Sequence, residues 1–371
     1  MSTSRSKIVY HEGGAVSGTL NVFDPAARLT SKAGRLLVET CGAVHALVVA
    51  DLREVQLHAR ASVSSGAREL LLERGIDLVF FDGMGRLAGR LTAHAGSNVP
   101  RRLGQLRAQA DPVRRLRLAR GFVTAKLLAQ EHELARVRTA GARAARADLE
   151  RARASIADAA SIDALRGIEG AAAARAFEAF GQRVRNPDFT WNGRSHFPAL
   201  DGINAALSYG YALATSAVET AVLRASLDPL VGFLHESHRG NAALVWDLVE
   251  EHRPRVERLV LELVNRRELR AEHVWTAAEE AQERARSGQD AVEAPPAAHA
   301  EVAVRLRPEG RKLLVARWRE ALDETVPHPV TGERWERGDL VGEQAARLAA
   351  ALDDDAARDW TPLHAPRRSA A

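Results

Sequence analysis

In the N-terminal part of the chain, apolar residues come in short runs that are typical of β-strands. The runs are rich in β-branched and aromatic residues and are bounded by Gly and Asp, which favour turns. They are "LLVET" (36–40), "HALVVA" (45–50), "VQLHA" (55–59) and "DLVFFD" (77–82). One helix interrupts them at 62–75, where a Ser cap precedes a run of Leu and a Gly stop. Asp82-Gly83 predicts a hairpin turn after the last run.

From about residue 98 the spacing of apolar residues changes to the 3.6-residue period of helices. The segment 112–138 follows this period, and the segment 161–181 starts on a Ser cap and ends on a Gly. The segment 201–226 is apolar on most faces, which predicts a buried central helix.

After a proline-containing loop at 287–301, two more helices are expected around 308–324 and 342–353. The pattern as a whole predicts an α+β fold. We expect an N-terminal mostly β domain at residues 1–97, an all-α C-terminal domain at 98–363 and a frayed tail at the remaining residues, 364–371.

Composition narrows the class of protein. The 371 residues are 46% apolar and 27% charged, as in a soluble globular protein. No apolar run is long enough to span a bilayer, and the N-terminus lacks an apolar signal region, so a cytoplasmic protein without membrane contact is expected. Cys41 is the only cysteine, which excludes internal disulfides and thiolate metal sites.

Basic charge is concentrated in one region of the chain. The net charge is only +4, yet residues 101–155 hold 14 Arg or Lys against 5 Asp or Glu. Nearly all of this charge is arginine, which makes bidentate contacts with phosphate oxygens. A GC-rich genome would explain the excess of arginine over lysine, but it would not explain the clustering. The cluster therefore predicts contact with a phosphate backbone.

Candidate chemistry starts with "GFLHESHRGNAALVWDLVEEHRP" (232–254), in which His235 ends an apolar run and Asp247 and Glu250 follow. Three residues apart on a helix, the two acids share a face. Taken alone, a single His is more often a packed residue, and a carboxylate pair is more often a solvated face. Pro254 cannot bond the carbonyl of Glu250, so the helix is expected to bend or break beside that acid.

Glu169 is a third candidate, because it lies between Gly167 and Gly170 inside a predicted helix. Each mid-helix Gly costs roughly 0.5–1 kcal/mol relative to Ala, which suggests close approach by a backbone or a ligand, with tight helix packing as the alternative. Two carboxylates and an imidazole on separate segments suit Mg²⁺ or Mn²⁺ better than zinc. Such an ion polarises a phosphodiester and activates water or a sugar hydroxyl. Dinucleotide-loop, P-loop and nucleophile-elbow patterns do not occur in the sequence.

At these residues the sequence resembles the CRISPR-associated integrase and endonuclease family (Cas-one type), the larger subunit of the spacer-acquisition complex. The resemblance covers nearly the whole chain and rests on the order and spacing of several motifs. In chain order they are "SVSSGARELLLERGIDLVFFDGMGRLAGRL", "RRLGQLRA", "LARGFVTAKLLAQ", "LRGIEGAAAARAF", "WNGRSHFPALDGINAALSYGYALA", "GFLHE" and "WDLVEEHRP".

The resemblance implies a homodimer formed through the β domains. Two such dimers would flank a dimer of a small second adaptation subunit (Cas-two type) and hold double-stranded DNA, both spacer precursor and repeat. The implied reaction is metal-dependent: a 3′ hydroxyl of the new spacer attacks a phosphodiester of the repeat, and nuclease activity is implied as well.

The resemblance also implies roles for individual residues. Glu169, His235 and Glu250 would bind Mg²⁺ or Mn²⁺, and Asp247 would be an acid beside that site. Together with the basic cluster, it leads us to expect DNA contacts from Arg102, Arg120, Lys126, Arg166 and Arg194. His238 and the surrounding loop 236–243 receive no role.

Two alternatives stay open from the residues alone. A general structure-specific nuclease would use the same metal chemistry. A non-catalytic nucleic-acid-binding scaffold would keep the acids for structure, although acids facing DNA without a metal would be a poor choice.

Overall fold

The computed structural model describes residues 8–10, 18–40, 43–83, 85–93, 98–196, 198–237, 241–276, 278–280, 282, 303–353, 360 and 362–363. Contacts divide the chain into two compact units. The first comprises Met1–Ala95 and Glu272–Glu324, and the second comprises Gly96–Ala271 and Thr325–Ala371.

Two sheets form most of the first unit. In spatial order, the first sheet consists of β1 (Ile8–Tyr10), β2 (Thr19–Val22), β6 (Glu54–Leu57), β8 (Asp77–Phe81) and β9 (Leu87–Leu91). The second consists of β5 (Ala43–Val48), β4 (Arg35–Thr40), β3 (Arg28–Lys32) and β7 (Ser62–Val63). In the first sheet β2, β6 and β8 run parallel, whereas β1 and β9 are antiparallel to their neighbours. Side chains from both sheets and from helix α1 (Ser65–Glu73) share one apolar core.

The predicted local structure of this region is confirmed. The four predicted strand runs correspond to β4, β5, β6 and β8, and the predicted helix corresponds to α1, whose N-cap Ser64 accepts from Ala67 N–H. The Asp82-Gly83 turn joins β8 to β9, with Asp82 N–H donating to the carbonyl of Arg86 at 2.8 Å. Pattern reasoning did not identify β2 and β3 individually, because "TLNV" and "RLTSK" are too polar to form apolar runs.

One segment joins the first unit from far along the chain. It contains the antiparallel strands β10 (Val274–Thr276) and β11 (Val304–Leu306) and the helix α9 (Pro308–Asp323). The sequence pattern predicted a single division near residue 97, with this segment in the helical domain. The structure instead groups it with the N-terminal residues. The sequence pattern missed this, because the amphipathicity of a helix indicates which of its faces is buried but not which element covers that face. The predicted loop 287–301 and tail 364–371 lie outside the described residues.

The second unit is built from helices. They are α2 (Val99–Ala110), α3 (Pro112–Ala135), α4 (Ala140–Ser155), α5 (Ile162–Gly181), α6 (Gly202–Arg224), α7 (Ala243–Val249), α8 (Arg253–Asn265) and α10 (Arg337–Asp353). The cap predicted at Ser161 is confirmed, because its side chain accepts from Ala164 N–H at the start of α5. Asp201, for which no cap was predicted, accepts from Asn204 N–H at the start of α6. α6 is buried along most of its length, as its apolar faces predicted. A short hairpin, β12 (Thr325–Pro327) with β13 (Arg334–Glu336), is added to the predicted all-α pattern.

The predicted break beside Glu250 is confirmed. α7 ends at Val249, residues 250–252 form a turn, and α8 begins at Arg253 with Pro254 in its first turn. Proline is tolerated there because the first N–H groups of a helix have no partner within the helix. The break therefore places Glu250 between two helices. Within the described residues, no helix is both long and apolar enough to cross a bilayer.

Candidate active site

Three helical elements bring the two predicted ligand carboxylates together. Glu169 lies within α5, Glu250 directly follows α7, and Lys126 of α3 lies between them. Nζ of Lys126 is 2.6 Å from Oε2 of Glu250 and also forms an ion pair with Oε1 of Glu169. The side chains of Lys126 and Glu250 are only 7% and 4% exposed, so a buried ammonium bridges the two acids.

The electrostatics of this group favour the charged forms. Burial raises the pKa of Glu250, but the charges of Arg253 and Lys126 outweigh burial and lower that pKa to about 2. Burial likewise lowers the pKa of Lys126, while Glu250 and Glu169 raise it more strongly, so the net shift is upward. His235 also contributes to lowering the pKa of Glu250, so its imidazole lies within electrostatic reach of the same acid.

His235 is held in place by Asp247. Oδ1 of Asp247 lies 2.8 Å from Nδ1 of His235, and the Asp247 side chain is fully buried. The same carboxylate accepts the main-chain N–H groups of Phe233, Leu234 and His235 at 2.6, 3.1 and 2.9 Å. A carboxylate on Nδ1 stabilises the protonated Nδ1 tautomer and leaves Nε2 as the ring's other donor or acceptor position. Asp247 therefore orients the His235 ring and fixes the loop of residues 233–235 through their main-chain N–H groups.

Two arginines hold the other side of this loop. Arg115 donates to the carbonyl of Phe233 at 2.9 Å, and Arg166 donates to the carbonyl of Leu234 at 2.7 Å. Both also contact Glu236, at 3.2 and 2.9 Å. The segment 233–236 is thus bound through its N–H groups on one side and through its carbonyls on the other.

A second polar group adjoins Glu250. Arg253 lies 3.2 Å from Oε1 of Glu250 and 5.0 Å from the ring centroid of Tyr211. The Tyr211 hydroxyl donates to Glu257 at 2.9 Å, and Arg194 lies 5.4 Å from the same ring. Arg253 stands three residues after Glu250 in the chain, across the break between α7 and α8. The contact of Tyr211 with Glu257 had no local sequence signal.

The structure gives the five predicted DNA-contact residues different surroundings. Lys126 is buried between acids, Arg166 holds the His235 loop, and Arg120 donates to the carbonyl of Ala159 at 2.9 Å. Arg194 donates to Asn204 at 2.9 Å, and Arg102 is half-buried on α2. Their contact with DNA stays a prediction. His238 lies outside the described residues.

The glycines beside Glu169 face open space. A Cβ added at Gly167 or Gly170 would meet no described protein atom within 4 Å, and both residues are exposed. Tight helix packing, the alternative explanation of these glycines, is therefore wrong at both positions. The open face beside Glu169 leaves room for a ligand.

The donor chemistry fits a hard divalent cation. Glu169 and Glu250 direct oxygens at one position that already holds positive charge, and Oε2 of Glu250 is a buried atom without a well-directed hydrogen bond. Across the part of the chain that the structure describes, no three His, Cys, Asp or Glu side chains lie close enough to enclose an ion. The Lys126 ammonium, rather than a third ligand, compensates the two acids here.

Comparison of the sequence with known proteins points to one family. Residues 20–286 match the family described as CRISPR associated protein Cas1. The CRISPR-associated endonuclease Cas1 1 of Thermus thermophilus is 35% identical over 336 residues, which cover 90% of this chain and 96% of that protein. The CRISPR-associated endonuclease Cas1 2 of Rhodospirillum rubrum is 34% identical over 315 residues, 80% of this chain and 84% of that protein.

Solved structures share the fold. A casposase bound to integration product has a TM-score of 0.77 at 18% identity, covering 95% of this chain and 94% of that one. A Cas6-RT-Cas1–Cas2 complex contains a chain with a TM-score of 0.76 at 19% identity, covering 94% of this chain and 36% of that one.

A strand-rich unit and a helical unit thus make up the fold that this chain shares with the casposase and with the chain of the Cas1-containing complex. The chain belongs to the CRISPR-associated Cas1 family.

Proposed function

We propose that this chain is a metal-dependent DNA endonuclease and integrase of CRISPR adaptation, which inserts new spacer DNA into the repeat array. The observation that carries the proposal is the pairing of Glu169 and Glu250 around one cation position. His235, which Asp247 orients, lies within electrostatic reach of Glu250. Family membership supplies the expected reaction, which is attack of a 3′ hydroxyl on a phosphodiester.

Each residue has a distinct task in this proposal. Glu169, His235 and Glu250 would hold Mg²⁺ or Mn²⁺, which when bound polarises a phosphodiester and activates water or a sugar hydroxyl. Glu250 stays ionised near neutral pH because its pKa is about 2. Asp247 keeps the imidazole of His235 in one orientation. The open face at Gly167 and Gly170 leaves space for a DNA strand beside Glu169.

The proposed partners are double-stranded DNA, a second copy of this chain and a small Cas2-type subunit. The similar casposase was solved with an integration product, and another similar chain belongs to a complex with Cas2. Integration of a duplex needs two strand transfers on opposite strands, and a two-fold dimer duplicates the site. β5, an edge strand of its sheet, exposes Val44 and Val48 at 65% and 50%, which favours pairing with a second chain. We further propose that the chain acts in the cytoplasm.

A plasmid assay with matched variants tests the chemistry. We expect Glu169→Gln, His235→Ala and Glu250→Gln to reduce Mn²⁺-dependent cleavage and integration to background. Glu178→Gln is the control, because Glu178 is an exposed acid on the same helix as Glu169. Full activity of Glu250→Gln would refute the proposed site. Cleavage without any integration would favour a structure-specific nuclease, and DNA binding without cleavage would favour a scaffold.

The assembly is tested separately. Light scattering of the chain alone should give a dimer, and integration should require the small subunit while simple cleavage should not. Counting single and double strand-transfer products distinguishes one site from two. A monomer that produced paired transfers at both repeat ends would contradict the assembly and leave the chemistry intact.

A further inference from the structure

The turn that carries Glu250 is bound by a residue far away in sequence, Gln344 of α10. Nε2 of Gln344 donates to the carbonyl of Leu248 at 3.1 Å and to Oε2 of Glu251 at 2.7 Å. Oε1 of Gln344 lies 3.1 Å from Nε2 of His252. One amide therefore contacts the residues on both sides of Glu250 in the chain.

These bonds replace those that the helix break removes. In a continuous helix the carbonyl of Leu248 would accept the N–H of His252, four residues later. Here the N–H of His252 donates to the carbonyl of Val249 at 2.9 Å, and Gln344 supplies the donor for Leu248. The side chain thus takes over a main-chain bond at the point where α7 stops.

Burial strengthens the hydrogen bonds between Gln344 and the turn. Gln344 is 1% exposed and Glu251 is 3% exposed, so water does not compete freely for these groups. A buried donor or acceptor that loses its partner is costly, and more so when one partner is a carboxylate. The amide is therefore suited to keep the turn in one conformation.

We infer that Gln344 is a positioning residue for the active site, which sets Glu250 opposite Glu169 by holding residues 248–252. Gln344 lies outside the 20–286 range that matches the family, so the matched sequence alone does not contain it. The inference rests on the proposed function, because it assigns the positioned carboxylate to the metal site.

The test compares Mn²⁺ affinity of the full chain, measured by isothermal titration calorimetry, with its melting temperature in EDTA. Gln344→Met has nearly the same volume and removes all three contacts. Gln344→Glu keeps the size and an acceptor toward His252, but it removes the donors and places a carboxylate against that of Glu251. Outer partners of metal ligands typically contribute 10–100-fold to affinity, so we expect both variants to bind Mn²⁺ roughly tenfold or more weakly.

A control separates positioning from general stability. The indole N–H of Trp360 donates to the main-chain carbonyl of Gln344 at 3.4 Å, and its ring packs on Phe122. Trp360→Phe loses this bond while it leaves the amide and the turn untouched, so it should melt at a lower temperature with unchanged Mn²⁺ affinity. Hydrogen exchange at the amides of 249–253 should quicken in the two Gln344 variants and not in Trp360→Phe.

Two results would overturn the inference, and they differ. If the wild-type chain binds Mn²⁺ and cleaves DNA while a folded Gln344 variant binds Mn²⁺ equally well, the inference alone is wrong. If the wild-type chain neither binds Mn²⁺ nor cleaves DNA, the proposed function fails and the inference fails with it. Should Gln344→Met not fold, Gln344→Ala, which adds neither bulk nor charge, decides between these results.

Discussion

Oδ1 of Asp247 lies 2.8 Å from Nδ1 of His235, and the two oxygens of the same buried carboxylate accept three main-chain N–H groups from the segment that ends at His235. The Asp247 side chain therefore fixes the conformation of residues 233–235 and also orients the imidazole of His235. Carboxylates that accept several N–H groups are among the strongest local organisers of a loop, because each bond is charge-assisted.

Replacing Asp247 should affect both stability and activity. Asp247→Ala leaves buried N–H groups without acceptors, and we expect the free energy of unfolding to fall by about 3 kcal/mol or more. Urea denaturation measures this, and the plasmid assay should show lost cleavage. His235→Ala is the matched variant, which should lose cleavage with a much smaller loss of stability. Equal stability of wild type and Asp247→Ala would contradict the role given to these bonds.

Removal of the bridging ammonium should make the protein depend on metal for stability. Lys126→Met removes the ammonium between Glu169 and Glu250 and leaves Glu250 with Arg253 as its ion-pair partner. Breaking a buried ion pair costs about 3–5 kcal/mol. We expect a lower melting temperature in EDTA and a larger rise on adding Mn²⁺ than in wild type, measured by scanning fluorimetry. Lys32→Met, at an exposed lysine, is the control and should change neither value. A rise no larger than that of wild type would show that Lys126 does not compensate the acids.

DNA binding should depend strongly on salt and little on sequence. Each phosphate neutralised by the cluster at 101–155 releases counterions, so affinity should fall at least roughly tenfold between about 50 and 200 mM salt. Fluorescence anisotropy with unrelated duplexes measures this. Arg102→Ala and Arg107→Ala should weaken all duplexes alike, whereas Arg175→Ala, an exposed arginine outside the cluster, should not. A DNA affinity that does not change with salt concentration would exclude the basic cluster as the DNA contact.

His58 should make the free energy of unfolding depend on pH. Its ring stacks between Phe23 and Phe81, both at 4.5 Å, and burial followed by the charge of Arg311 lowers the pKa of His58 from 6.5 to about 3. The unfolded chain therefore binds a proton that the folded chain does not, so stability is complete above pH 6.5 and falls as the pH drops toward 3.

The slope should approach about 1.4 kcal/mol per pH unit from this group alone. His58→Gln should lower stability at pH 7 but flatten the loss between pH 7 and 5, as measured by urea denaturation at each pH. The difference between the two proteins removes the contribution of other titrating groups, because they are shared. Parallel curves for wild type and His58→Gln would show that His58 does not titrate on unfolding.

Lys126 shows where local pattern reasoning stops. From the sequence it belongs to a basic cluster and is expected at phosphate, and the predicted acids are expected to repel one another. In the structure this one amine is buried between Glu169 and Glu250, so the acids are compensated before any metal binds. We therefore expect Glu250→Ala to destabilise the fold, because it leaves Lys126 without one of its two carboxylate partners. Glu250→Gln, which keeps the size of the side chain, is the better variant for testing catalysis.

What the sequence determined by itself was local. The period of apolar residues, the Ser caps of the helices at 62–75 and 161–181 and the Pro254 break are each decided within one or two helical turns, and all agree with the structure. The tertiary structure decided which distant side chains meet. The contacts of Lys126 with two acids and of Gln344 with the turn after α7 join residues 43 to 124 positions apart, and no short-range periodicity encodes them. Burial gives these contacts their strength, and burial exists only once the helices have packed.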